Sequence, residues 1–84
     1  MKIGVFGLGY VGCVMSACLA SDGHQVVGID VNPLKVNMIN DGKSPIIEKG
    51  LQELITTGTD TGNLRAEMDH AAVVQESEIS VICV

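Results

Sequence analysis

The 84-residue sequence predicts an α/β fold in which a parallel sheet of about four strands is flanked by helices. Three observations carry this. Short apolar runs alternate with segments of helical period, the pattern of a parallel sheet with right-handed crossovers. Hydrophobic residues make up 46% of the chain and charged residues 18%, which supplies a core and argues against disorder. The ten glycines are concentrated at the joints between these segments, four of them in the first twelve residues.

Each element has its own signal. Lys2 to Phe6 is short and apolar and reads as a buried strand. Gly7 to Gly12 is a turn, and Val11 to Ser21 follows as a helix with small residues at Ala17 and Ala20. Asp22-Gly23 stops it, with Gly23 suited to a left-handed cap. Gln25 to Ile29 is a second strand ending at Asp30. Asn32-Pro33 is a helix start, Asn as N-cap and Pro at the first helical position, for a helix over Leu34 to Ile39. Asn40-Asp41-Gly42 ends that helix. Lys43 to Ile47 is a loop around Pro45. Leu51, Leu54 and Ile55 give helical spacing to Glu48 to Thr57, and Thr56 to Asn63 reads as a turn-rich linker. Leu64 to Glu67 is a short strand. Asp69 caps a helix from His70 to Gln75, and Glu78 to Val84 is a final apolar strand. Residues 1–84 form one domain. The chain stops inside that last strand, which predicts that the domain is the first part of a larger one.

The composition excludes several functions. The net charge of −5 and the near absence of aromatic residues, one Phe, one Tyr and no Trp, argue against a nucleic-acid partner. Ile3 to Ala20 carries no charge over 18 residues, long enough to suggest a signal peptide or membrane span. Its glycines would weaken such a helix, so strand, turn and helix is the better reading and no membrane partner is expected. Three cysteines with no C-x-x-C pair suggest neither a disulfide framework nor a metal site.

Gly7, Gly9 and Gly12 form G-x-G-x-x-G between a strand and a helix, with a second strand and Asp30 beyond. Asp30 lies 18 residues after Gly12, near the usual spacing of about 20 for a dinucleotide-binding Rossmann unit. The chemistry explains the residue types. Gly7 permits the tight turn. Gly9 lets the backbone approach a pyrophosphate, and Gly12 lets the helix pack close. The helix N-terminus offers free N–H groups and positive partial charge. Asp30 would accept hydrogen bonds from the ribose hydroxyls and repel a 2′-phosphate, and Val31-Asn32 brings no Arg to hold one, so NAD is favoured over NADP. FAD sites use a similar fingerprint, and the glycines alone would also suit a turn that only packs.

Other residues read more blandly. Cys13, Cys18 and Cys83 are expected to be buried, inert thiols. His24 and His70 are surface or capping residues. Met15, Met38 and Met68 are gap-fillers, and Glu48, Glu53 and Asp60 belong to a solvated face. Lys35, in the first turn after Asp30, is a surface lysine within reach of a ribose or phosphate. No catalytic acid–base pair stands out.

The stretches K-I-G-V-F-G-L-G-Y-V-G, G-I-D-V-N-P-x-K-V, G-K-S-P-I-I-E-K-G-L, T-G-N-L-R-A-x-x-D and S-E-I-S-V-I-C-V together resemble the N-terminal NAD-binding domain of the nucleotide-sugar 6-dehydrogenases, the UDP-glucose/GDP-mannose dehydrogenase family. The resemblance leans slightly toward the GDP-mannose enzymes. It implies a cytoplasmic enzyme, a homo-oligomer at full length, that uses NAD twice to oxidise the C6 hydroxyl of a nucleotide sugar to a carboxylate. A cysteine in a later domain would form a thiohemiacetal and then a thioester, and none of the three cysteines here matches it. The residues that match the family's NAD contacts are Tyr10, Val11, Asp30 and Lys35. A Gly-Thr-Pro loop would follow the last strand. Lys49 departs from the family, which usually has Pro in E-P-G-L. Two other readings remain beside this one: a different NAD-dependent dehydrogenase of the 3-hydroxyacid or 6-phosphogluconate type, against which the S-P-I-I-E segment counts, and a stand-alone dinucleotide-binding module.

Overall fold

A computed structural model describes residues 1–83. Eight elements follow in the order β1 (Lys2–Phe6), α1 (Tyr10–Ser21), β2 (Gln25–Ile29), α2 (Pro33–Asn40), α3 (Leu51–Thr61), β3 (Leu64–Glu67), α4 (His70–Glu76) and β4 (Ile79–Ile82). The sheet order is β3-β2-β1-β4, and every pairing is parallel. Having moved outward from β1 to β2 and β3, the chain returns to the far side of β1. The reversal lies between β1 and β4, and ligands of open α/β sheets bind outside the carboxyl ends of the strands at such a point.

The period of two along each strand divides the core. Ile3 and Val5 of β1, Val26 of β2, and Leu64 and Ala66 of β3 share one face. They pack against Cys13, Ala17 and Ala20 of α1, Val36 and Ile39 of α2, and Leu51 and Ile55 of α3. The opposite face carries Val27 and Ile29, which meet Val73 of α4 with Phe6 beside them. The second cluster is much the smaller, so the upper part of that face, around Phe6, stays open above α4.

Most predicted elements are found with ends shifted by a residue or two. Asn32 caps α2 by accepting from the Leu34 N–H at 3.0 Å, and Pro33 stands at its start. Asp69 caps α4 through the Ala72 N–H, and Gly23 takes the left-handed conformation expected of it. The expected last strand is observed over Ile79–Ile82, and ladder-like bonds continue on either side, Glu78 N–H to Lys2 and Cys83 N–H to Phe6. Val84, its predicted end, lies outside the described residues.

Two expectations change. The third helix runs from Leu51 to Thr61 rather than from Glu48 to Thr57, so the predicted linker from Thr56 is mostly helical. Its threonines return their hydroxyls to the helix: Thr56 donates to Gln52 O, Thr59 to Ile55 O and Thr61 to Thr57 O. These bonds satisfy polar side chains that would otherwise compete with helix formation. The cysteines also divide, with Cys13 buried, Cys83 half-buried and Cys18 exposed. Cys18 points to solvent because the buried stripe of α1 is Gly12, Cys13, Ser16, Ala17 and Ala20.

Candidate dinucleotide-binding site

The turn between β1 and α1 is built by close approach. The Gly7 N–H donates to Ile29 O at 2.8 Å, which ties the turn to β2. Gly7 has φ +104°, a left-handed conformation, and a Cβ there would stand 2.0 Å from Cys83 O. A Cβ on Gly12 would stand 1.7 Å from Gly7 O. Both contacts are impossible, so both positions require glycine if the turn and the helix are to pack this way. Gly9 differs. Its φ of −74° and ψ of −163° are extended backbone, and a Cβ there would meet nothing within 4 Å. Neither strain nor protein packing accounts for this glycine, which faces open space.

That space adjoins the start of α1. Gly9 is the N-cap and supplies no side-chain cap, so the first N–H groups of the helix keep their capacity for an outside acceptor. Tyr10 and Val11 occupy the first turn with both side chains exposed. The Tyr10 hydroxyl donates to Glu48 Oε2 at 2.8 Å, and this bond to a carboxylate holds the phenol above its ordinary pKa. Glu48 is exposed, as expected of a solvated face, and through this bond it also stands at the rim of the site. The signal lay in the S-P-I-I-E segment, although nothing in its spacing pointed at Tyr10.

Asp30 closes the other side. Its Oδ2 accepts from the Leu8 N–H at 2.8 Å and its Oδ1 from the Asn32 N–H at 2.9 Å. Partial burial works to raise its pKa, but the N–H groups of Asn32 and Leu8, the Lys35 charge and the Val31 N–H outweigh it. The carboxyl sits below its ordinary value and is an anion at neutral pH. The Lys35 charge is felt at both Asp30 and Cys13. The Cys13 thiol donates to Leu8 O at 3.2 Å. Burial, only partly offset by Lys35, pushes it up to about 11, so this cysteine is a protonated structural donor. All seven residues singled out in the sequence, Gly7, Gly9, Tyr10, Val11, Gly12, Asp30 and Lys35, lie on or beside the carboxyl end of β1 and β2.

Beside Asp30 opens a cleft of about 340 Å³ lined by Phe6, Gly7, Ile29, Asp30, Val31, Met68 and His70. Its walls are mostly apolar, with one carboxylate at the edge. Met68 comes from the turn between β3 and α4 and His70 from the first position of α4, and both reach the site because β3 lies next to β2. Met68 is exposed at this rim rather than filling a gap. Among the described residues no cluster of three His, Cys, Asp or Glu could hold a metal ion.

Residues 1–84 match the family described as UDP-glucose/GDP-mannose dehydrogenase family, NAD binding domain. The chain belongs to the UDP-glucose/GDP-mannose dehydrogenase family. Within that family it is 50% identical over all 84 residues to the GDP-mannose 6-dehydrogenase of Pseudomonas syringae pv. syringae, covering 19% of that protein. Its fold superposes with a TM-score of 0.98 on the GDP-mannose dehydrogenase of Pseudomonas aeruginosa, solved as a ternary complex. That pair is 49% identical over 100% of this chain and 19% of the other. A UDP-glucose dehydrogenase from Pyrobaculum islandicum follows at TM-score 0.93 and 36% identity, over 99% of this chain and 19% of that one. The chain therefore spans about a fifth of the length of the dehydrogenases it matches, and what it shares with the family is the NAD-binding domain.

Proposed function

We propose that the chain serves as the NAD-binding part of a nucleotide-sugar 6-dehydrogenase, one that oxidises the C6 hydroxyl of GDP-mannose to a carboxylate. The observation that carries this is Gly9: open space above the uncapped start of α1, with the Asp30 carboxylate at the adjoining strand end. A side chain at Gly9 would fill that space, and a pyrophosphate needs it. The choice of GDP-mannose over UDP-glucose is supported by the 50% identity to GDP-mannose 6-dehydrogenases.

In this reading NAD, when bound, supplies the hydride acceptor, and the chain's own residues bind and orient. Gly7 and Gly12 shape the turn. Tyr10 and Val11 present backbone N–H groups to the phosphates, with the positive end of α1 behind them. Asp30 accepts from the adenosine ribose hydroxyls with its remaining lone pairs, Lys35 stands beside it, and the apolar cleft of Phe6, Ile29, Val31 and Met68 takes the flat base. The nucleotide sugar and the catalytic cysteine belong to other parts of the enzyme. Three unpaired cysteines suit the reducing cytoplasm, and no helix among the described residues is long and apolar enough to cross a membrane.

Cofactor choice tests this. A 2′-phosphate would meet the Asp30 anion with no Arg at Val31 or Asn32 to hold it. Calorimetry should find NAD bound at least about tenfold more tightly than NADP, the factor that corresponds to 1.4 kcal/mol. Equal affinities would remove Asp30 from the ribose.

A further inference from the structure

The sequence assigns Leu8 no role, yet it is the most firmly held residue of the glycine turn. Its N–H is bound by Asp30 Oδ2 at 2.8 Å. Its carbonyl accepts from the Cys13 thiol at 3.2 Å. Its side chain is fully buried against Gly28, where a Cβ would come within 2.6 Å of Leu8 Cδ2. Three parts of the fold converge on it: the end of β2, the middle of β2 and the buried stripe of α1. Leu8 immediately precedes Gly9, so whatever fixes Leu8 fixes the direction in which Gly9 and the first N–H groups of α1 face.

We propose that Asp30 is a positioning residue for the phosphate-binding turn, acting through the Leu8 N–H, in addition to its contact with the ribose. This rests on the dinucleotide reading of the site and extends it. The carboxylate spans two backbone segments, Leu8 in the turn after β1 and Asn32 in the turn after β2, and needs both oxygens to do so. An anion beside a phosphate site repels the ligand. Its presence there is offset if it also holds the turn in the shape that presents N–H groups to the phosphates. Organising donors before a ligand arrives lowers the ordering cost of binding.

The two roles separate with a ligand that lacks the ribose diol. The full chain is titrated by calorimetry with ADP and with 2′,3′-dideoxy-ADP, as wild type and as Asp30→Ala. If Asp30 positions the turn, Asp30→Ala weakens 2′,3′-dideoxy-ADP three- to tenfold. If Asp30 only accepts from the ribose, the same variant leaves that ligand unchanged or tightens it, because a negative charge has gone, and the proposal is overturned. A wild type that binds ADP and 2′,3′-dideoxy-ADP equally removes the ribose contact and leaves the positioning role standing.

Amide hydrogen exchange supplies the second readout and serves if Asp30→Ala fails to fold or if neither ligand binds. In Asp30→Leu the branched shape of the side chain is kept but no acceptor is left for the Leu8 N–H. The Leu8 amide should then exchange at least fivefold faster, while Val5 and Val27 in the sheet keep their wild-type rates. Unchanged protection at Leu8 would overturn the proposal. Faster exchange at all three sites would also overturn it, since that is general destabilisation.

Discussion

Alanine at Gly9 and alanine at Gly12 should fail in opposite ways. At Gly9 the backbone is extended and a Cβ meets nothing within 4 Å. Gly to Ala at a compatible position gains about 0.4–1 kcal/mol from the unfolded chain. Alanine is the poorer N-cap by an amount of similar size, about 1 kcal/mol. The two effects nearly cancel, and Gly9→Ala should melt within a few degrees of wild type. The new methyl, however, occupies the space assigned to the pyrophosphate. Pushing the phosphates off one charge-assisted hydrogen bond costs about 1.5–3 kcal/mol, so NAD affinity should fall about 10- to 150-fold. Gly12→Ala places a Cβ 1.7 Å from Gly7 O, a contact that no rotamer change relieves. Overpacking of this kind costs about 1–3 kcal/mol or more, and each kcal/mol lowers the melting temperature by about 4–8 °C in a domain of this size. Calorimetry with NAD and thermal melts of the two variants decide the matter. Wild-type NAD affinity in Gly9→Ala would refute the reasoning, because the open space would then not be where the cofactor sits.

Other consequences are as direct. The folded Asp30 carboxyl lies below its ordinary value, so its stabilisation is present above the unfolded pKa of about 3.9 and is lost as pH falls through the lower folded value. The stability difference between wild type and Asp30→Asn, from urea melts, should shrink on acidification in that window, and a constant difference would count against the Leu8 and Asn32 bonds. Cys13 runs the other way: its pKa is raised to about 11, so its contribution holds below the unfolded thiol value of about 8.5 and is lost as pH rises through the folded one. Iodoacetamide at about pH 8 should accordingly label exposed Cys18 well before Cys13, and equal labelling would contradict the burial of Cys13. Ser16 is buried with no hydrogen-bond partner for its hydroxyl among the described residues. Ser16→Ala should therefore raise stability by about 1 kcal/mol, and a lower melting temperature would show that the hydroxyl is bonded.

Local chemistry was legible in the sequence where one residue type has one use. Gly7 and Gly12 could be read because no other residue tolerates those contacts, and Asn32-Pro33 because capping depends on two adjacent positions. The end of α3 was misread because Thr, Gly, Asp and Asn favour turns on average. Whether Thr56, Thr59 and Thr61 can bond back to the helix depends on the helix already existing. The apolar cleft could not be read at all. Met68 and His70 join Asp30 only because β3 pairs with β2 in parallel, a fact about strand order that no local window contains. Leu8 escaped for a related reason. A leucine between two glycines carries no signal of its own, and its role follows from Asp30, Cys13 and Gly28 being brought around it. The Tyr10–Glu48 bond spans 38 positions and depends on where the loop before α3 folds back.

The central claim is that the turn from Gly9 to Gly12, with Asp30 across from it, holds the NAD pyrophosphate and adenosine ribose. The most direct measurement is an amide chemical-shift titration of the isotopically labelled full chain with NAD. The account predicts saturable shifts centred on Gly9, Tyr10, Val11 and Gly12, and on Asp30 and Val31, with little change at Thr57 and Thr61, which lie beside Ala20 and Ser21 at the other end of α1. Saturable shifts that cluster elsewhere, or none at these positions while NAD binds, would contradict it.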